Sequence, residues 1–256
     1  MIPKIIHYCW LGRGVMPELV QRCIASWHQY MRPTPDPSLK GRSDLGWKYM
    51  LWNEDNFDIA TAPAYVQEAY ETRKFAFVSD YVRLWALEQF GGLYMDVDFE
   101  VYKPFDDLMD CKEGAFIGRE GSKHQPPMMG VMAAEPHHPW IKAMLETYKK
   151  RHFKLVHDAQ CTMHDEKQEY DLTPNVTYFA ALGLHREEWV HIYPVEYFCP
   201  VLTTGENVRN EHTYCEHKGL HSWGEKEGGW KARLLRIMSP KMRTKMIKLK
   251  RKLFDE

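Results

Sequence analysis

The stretch SDYVRLWALEQFGGLYMDVDFEVYKPFDDL, residues 79–108, decides how this chain folds. Its first part continues a helical pattern that runs from Pro63 to Phe90 and predicts two helices. Phe77, Val78, Tyr81, Leu84, Trp85 and Leu87 form a wide apolar face. Gly91-Gly92 stops that pattern sharply. Leu93-Tyr94-Met95 then reads as a short buried strand with Asp96 and Asp98 at its end, and Pro104 closes the next extended piece.

Upstream, Pro3 to Trp10 is apolar and β-branched and predicts an opening strand. From Pro17 to Tyr30, Leu19, Val20, Cys23, Ile24 and Trp27 recur at helical spacing. Residues 32–46 are rich in Pro, Ser, Gly and Asp and read as a loop; Trp47, Tyr49 and Leu51 then alternate as a second strand. Downstream, short strands are expected around Ala115–Gly118, Gly130–Ala133, His191–Tyr193 and Tyr214–His217. Helices are expected over Pro139–His152 and Asn175–Leu182. Alternation of strands and helices predicts an α/β sheet that binds ligands at the carboxyl ends of its strands.

The chain has 256 residues, enough to bury a sizeable core. Its near-neutral net charge hides an asymmetry. Residues 231–256 carry ten Lys or Arg against Asp255 and Glu256, which leaves 24 basic and 33 acidic residues over 1–230. The expected organisation is a catalytic domain over 1–230 followed by a basic amphipathic helical tail over 231–256. No run approaches the roughly 18 apolar residues of a membrane-spanning helix. The six cysteines are scattered without a CxxC pair, and the amino terminus lacks a charged-then-apolar leader, so a cytoplasmic setting is expected.

Two carboxylates one residue apart at a strand end can both reach a hard divalent cation, and such cations take oxygen ligands and bridge substrate phosphates. Asp96-Val97-Asp98 fits a site in which that cation neutralises charge developing on a leaving diphosphate. An isolated acid-x-acid triplet is a common accident of composition; here it comes after a turn and an apolar strand, which sets it at the edge of a core.

These residues resemble glycosyltransferase family 32, the sugar-binding-region family with a DXD motif. The resemblance runs through IPKIIHYCW at 2–10, Ser26-Trp27, the 79–108 stretch and His221-Ser222-Trp223. It implies a GT-A type nucleotide-sugar-binding fold with a mixed, mainly parallel central sheet, a nucleotide-sugar donor (UDP- or GDP-sugar), a divalent metal and retention of anomeric configuration. It further implies Asp98, Asp96 and Arg83 as catalytic residues. Tyr8, Trp10, Asp80, Arg83, Asp96, Ser222 and Trp223 would bind the donor, with Trp10 stacking on the base. Asp98, Asp96 and His217 would bind the metal, Mn²⁺ ahead of Mg²⁺ because imidazole favours manganese. Asp80 and Arg83 are three apart on a helix, so an ion pair between them is also expected. His221 is the fallback for His217; an HxxxH zinc site is disfavoured because Gly219 lies between the two. Members of the family often carry an Asn near Met128-Met129-Gly130, where methionines stand here. Glu120 and His124 are candidates on the acceptor side.

The acceptor expected from the resemblance is a glycan or lipid-linked saccharide in capsular or lipopolysaccharide synthesis. The tail interleaves Leu234, Leu235, Ile237, Met246 and Leu249 with cations, which suits an anionic inner membrane face, and the acidic body argues against nucleic acid. Two other classes remain: a haloacid-dehalogenase-like phosphatase, which also places a DxD at a strand end, and a non-catalytic carbohydrate-binding protein. Phe99-Glu100 after the triplet does not supply the Gly-Thr-like continuation of the phosphatases.

Overall fold

In the computed structural model the residues described are 1–32, 46–121, 126–154 and 170–219. Strand β1 (Ile5–Cys9) leads into helix α1 (Glu18–Tyr30), and β2 (Lys48–Trp52) pairs parallel with β1. Helices α2 (Ala64–Glu71) and α3 (Phe75–Phe90) come next, then β3 (Gly92–Met95), parallel to β1 on its other side. After these stand β4 (Phe99–Val101), β5 (Ala115–Arg119), β6 (Pro127–Ala134) and α4 (Pro139–Tyr148). The order then runs α5 (Asn175–Ala181), β7 (His191–Tyr193), α6 (Val195–Phe198) and β8 (Cys215–His217).

Six strands form one sheet in the order β2-β1-β3-β6-β5-β7, while β4 and β8 form a separate antiparallel pair. The β1/β2, β1/β3 and β5/β7 pairings are parallel and β6 runs antiparallel to both neighbours. This is the mixed, mainly parallel α/β arrangement expected. Helices α2 to α5 pack on one face around Val78, Leu84, Tyr94, Met132 and Trp140. Helices α1 and α6 with the β4/β8 pair cover the other face around Ile6, Trp27, Leu93, Phe99 and Phe198. Among the described residues no helix is long and apolar enough to cross a membrane.

The sharp stop after α3 has a steric cause. Gly91 adopts φ +60° and donates its N–H to Leu87 O at 2.9 Å, and a Cβ there would lie 2.7 Å from the Pro136 backbone nitrogen. Gly92, at φ +115°, lets β3 pass so close to β1 that a Cβ would sit 2.6 Å from Ile5 O. The chain thus re-enters the sheet at once, with Tyr94 facing α3 and Leu93 and Met95 facing α1.

Several boundaries differ from the sequence expectation. Helix α4 ends at Tyr148 rather than His152, because Arg151 turns inward onto the rings of Tyr65, Tyr148 and Tyr178 and Phe153 is buried. Helix α6 was not expected; four residues are too few to show a period. Tyr214 precedes β8 and bonds instead to Tyr197 O and, through its own carbonyl, to Tyr102 N–H. The expected basic helical tail at 231–256 lies outside the described residues.

Candidate active site

The alternation of β3 carries on past its last residue. Tyr94 faces α3, so Asp96, two residues on, faces the same way, and its N–H still pairs with Gly130 O of β6 at 2.8 Å. A turn then intervenes, with Phe99 N–H reaching Asp96 O at 3.2 Å, and it carries Asp98 toward β8. There Lys218 N–H donates to Asp98 O at 2.8 Å and Phe99 pairs with His217. The two aspartates of the triplet therefore serve different partners.

Asp96 belongs to α3. Arg83 is only 4 % exposed, and its guanidinium lies 2.6 Å from Asp80 Oδ1 and 3.4 Å from Asp96 Oδ1. It also donates to Met129 O at 2.6 Å and stacks over the Tyr94 ring, whose hydroxyl donates to Asp96 Oδ1 at 2.8 Å. Burial opposes the charge on Arg83, but Asp96, Tyr94 and Asp80 outweigh it and raise its pKa. Burial pushes Asp96 up to about 6, with repulsion from Asp98 adding to it and Arg83 pulling the other way. Asp80 is also raised by burial, against the pull of Arg83. The ion pair expected from the three-residue spacing is present and extends into a carboxylate–guanidinium–carboxylate chain.

Asp98 belongs to β8. Its Oδ2 lies 3.1 Å from His217 Nε2, and Glu120 Oε1 lies 3.6 Å from His217 Nδ1. Burial would lower the imidazole pKa, yet the hydrogen bond to Asp98 and the nearby Glu120 carboxylate push it up to about 10. The imidazolium ring stacks on Phe99, 4.8 Å between centroids. Two atoms each bonded to one ion at about 2.1 Å sit roughly 3 Å apart. The Asp98–His217 spacing and its oxygen-plus-imidazole chemistry thus fit a divalent cation.

Both halves line one cleft of about 670 Å³ at the carboxyl ends of β1 and β3. Trp10, Asp80, Arg83, Asp96, Asp98, Glu120 and His217 all line it, so seven of the expected residues are brought together. Trp10 is fixed by a 2.6 Å bond from Nε1 to Gly14 O. Tyr8 is not brought there. It packs edge-on against Trp27 at 5.5 Å, on the α1 side of the sheet, because β1 alternates and Cys9 takes the cleft side. Ser222, Trp223, His221 and His124 lie outside the described residues.

Other contributors carried no motif. Gly130 leaves room for the triplet: a Cβ on it would lie 2.8 Å from the Phe99 ring and 3.0 Å from Asp96 Oδ2. Asn175 lines the cleft, and its Oδ1 accepts from Arg151 at 3.0 Å. Tyr94 could have been found from its parity with Asp96. The Met129 carbonyl and Gly130 could not, because they depend on how β6 pairs with β3.

Comparison with known proteins bears on the same segment. Residues 17–114 match the family described as glycosyltransferase sugar-binding region containing DXD motif. Inositol phosphoceramide mannosyltransferase 1 of Schizosaccharomyces pombe is 25 % identical over 156 residues, covering 58 % of this chain and 43 % of that protein. The chain thus spans less than half the length of this relative. Among solved structures, mouse xyloside xylosyltransferase 1 aligns at 10 % identity over 85 % of this chain and 98 % of that one, TM-score 0.45. The glycosyltransferase GlyE of Streptococcus pneumoniae aligns at 10 % identity over 77 % and 46 %, TM-score 0.42. The PaToxG glycosyltransferase aligns at 19 % identity over 57 % and 58 %, TM-score 0.42. The matched segment contains α3, the Gly-Gly turn, β3 and the Asp96-Val97-Asp98 triplet, and over this segment the chain is similar to the DXD-containing glycosyltransferase sugar-binding family.

Proposed function

We propose that this chain is a metal-dependent, retaining glycosyltransferase that moves a sugar from a UDP- or GDP-sugar to a glycan or lipid-linked saccharide. The observation that carries the reading is the Asp98–His217 pair, 3.1 Å apart beyond the end of β3, beside the Asp80–Arg83–Asp96 chain centred on the buried Arg83 in the same cleft. Asp98 and His217 would hold the cation, with Mn²⁺ ahead of Mg²⁺ because one donor is a nitrogen. When bound, the cation supplies charge neutralisation at the leaving diphosphate.

The chain's own residues then position the donor. Trp10, its indole tied to Gly14, offers a ring for a base to stack on. Arg83 spends its donors on Asp80, Asp96 and Met129 O, so it fixes the carboxylates rather than reaching across the cleft, leaving their outer oxygens for sugar hydroxyls. The acceptor hydroxyl attacks on the face the diphosphate leaves, and its proton passes to a phosphate oxygen. Trapping a glycosyl-enzyme adduct would overturn that last step.

The name of the fission-yeast relative describes a mannosyl transfer to inositol phosphoceramide, so a mannose donor and a lipid acceptor are the first to try. Synthesis of capsular or lipopolysaccharide chains at the inner membrane face, with residues 231–256 on anionic lipid, is the setting we favour; failure to bind anionic liposomes at low salt removes it.

A thermal-shift panel of sugar nucleotides tests the reading. The matching donor with manganese at 100 times its Kd stabilises the native state by about 2.7 kcal/mol, and the shift vanishes without the metal. A shift that persists in EDTA, or phosphatase activity on simple phosphate esters, contradicts the proposal.

A further inference from the structure

His217 has two ring nitrogens, and only Nε2 faces Asp98. Nδ1 points the other way, toward Glu120 Oε1 at 3.6 Å. Behind it stands Cys199, buried to 3 % exposure at the end of α6, with Sγ 3.2 Å from the thioether of Met128. Glu120, Cys199 and His217 each place one donor atom within 4.8 Å of the others. Glu120 directly follows β5, Cys199 directly follows α6 and His217 closes β8, three separated segments that the fold converges on one point.

Oxygen, nitrogen and sulfur together are not the donor set of a magnesium or manganese site. Thiolate with imidazole and carboxylate suits a borderline-soft ion that accepts tetrahedral geometry, of which Zn²⁺ is the type. From this convergence we infer that Glu120, Cys199 and His217 Nδ1 form a second cation site, for zinc-like ions, that antagonises the cation held by Asp98. A neutral imidazole bound through Nδ1 keeps its proton on Nε2. That N–H can donate to Asp98 but cannot ligate, so occupation of the soft site withdraws His217 from the hard one.

Coordination requires the Cys199 sulfur as thiolate and His217 Nδ1 without a proton, and the protons displaced leave to solvent. Burial raises the thiol pKa, and Glu120 adds to that, while the His217 backbone N–H bonded to the sulfur favours the thiolate. A metal ion deprotonates a coordinating thiol outright, which overrides the burial. Met128 stands against the sulfur and lines the cleft with Glu120 and His217, so the ion enters from the cleft side.

The antagonism, though not the soft site itself, rests on the reading of Asp98 as a cation ligand, and the test separates the two. The full chain is titrated with Co²⁺, which replaces zinc and shows a thiolate-to-cobalt charge-transfer band. The expected result is one band per chain, displaced by Zn²⁺, retained in Cys111→Ser and lost in Cys199→Ser. Glu120→Gln, a change at a half-exposed side chain that leaves the fold intact, weakens cobalt binding by roughly tenfold or more, at least the effect of losing an outer partner of a ligand. If Cys199→Ser does not fold, Glu120→Gln decides. Absence of the band in the unaltered chain, its persistence in Cys199→Ser, or undiminished binding by Glu120→Gln overturns the site. Mn²⁺ binding followed by electron paramagnetic resonance then reads the coupling. Zinc weakens it in the unaltered chain and not in Glu120→Gln, and equal weakening in both overturns the antagonism. Failure of Mn²⁺ to bind at all counts against the Asp98 reading and leaves the cobalt result standing.

Discussion

Replacing Arg83 with methionine should be among the most damaging single changes outside the apolar core. The side chain is 5 % exposed, and its guanidinium is the cation shared by Asp80 at 2.6 Å and Asp96 at 3.4 Å. Methionine fills much of the volume, so the cost is electrostatic: two carboxylates stay in place with their counter-charge gone, and Met129 O loses its 2.6 Å donor. Breaking a buried pair by removing one partner costs about 3–5 kcal/mol. Asp96 keeps 33 % of its side chain accessible to the cleft, so water relieves part of this and the lower end of that range applies. Urea unfolding followed by fluorescence of the nine tryptophans at pH 7.5 measures it. In a chain of this size 3 kcal/mol is a fall of roughly 6–12 °C in Tm. The double variant Arg83→Met/Asp80→Asn should recover part of the loss, since it removes one stranded charge. A loss below about 1 kcal/mol for Arg83→Met, or strict additivity in the double variant, would refute the shared-cation account.

Neighbouring geometry leads to two further outcomes. His7 is fully buried, with Nε2 donating to Gly91 O at 2.8 Å and Nδ1 accepting from Trp52 at 3.1 Å, and burial lowers its pKa to about 4. Between pH 6.5 and 4 the unfolded chain binds the proton and the native state resists it, so stability falls as pH drops. His7 contributes roughly 2–3 kcal/mol of that loss by pH 4.5. Equal acid losses, by urea midpoint, in the unaltered chain and in His7→Gln would remove His7 as a cause. Gly130→Ala forces a methyl to within 2.8 Å of Phe99 and 3.0 Å of Asp96, an overpacking of about 1–3 kcal/mol that should also weaken manganese binding. A variant that binds manganese as the parent does would show that the triplet does not need that space.

The parts legible in the sequence were those with a local signature. The α3 period, the Gly-Gly stop and the three apolar residues of β3 specify a helix, a turn and a strand within 30 residues. Sheet parity then places Asp96 on the helix side. Tyr8 was expected at the donor through the resemblance alone; it shares parity with Trp10, but β1 ends at Cys9 and Trp10 leaves the pleat, so the two face different sides. His217 was suggested by resemblance; its contact with Asp98 depends on the β4/β8 register, set between segments more than 110 residues apart. The approach of Glu120 and Cys199 to the same ring is a property of three converging elements and has no sequence period to announce it. Arg151 ended α4 early for a similar reason, because the tyrosines that receive it come from α2, α4 and α5.

The central claim is that Asp98 holds a cation against the diphosphate of a sugar nucleotide. The most direct measurement is acceptor-free, manganese-dependent hydrolysis of the donor that the thermal-shift panel selects, compared between the unaltered chain and Asp98→Ala. Turnover should be abolished by EDTA and restored by Mn²⁺, and should fall on the order of 100-fold or more in Asp98→Ala, the scale for removing one electrostatic stabiliser of the leaving group. A urea midpoint measured on the same variant separates lost turnover from lost fold, since Asp98 is buried against His217. Hydrolysis that survives EDTA, or an Asp98→Ala variant that turns over at the parent rate, would contradict it.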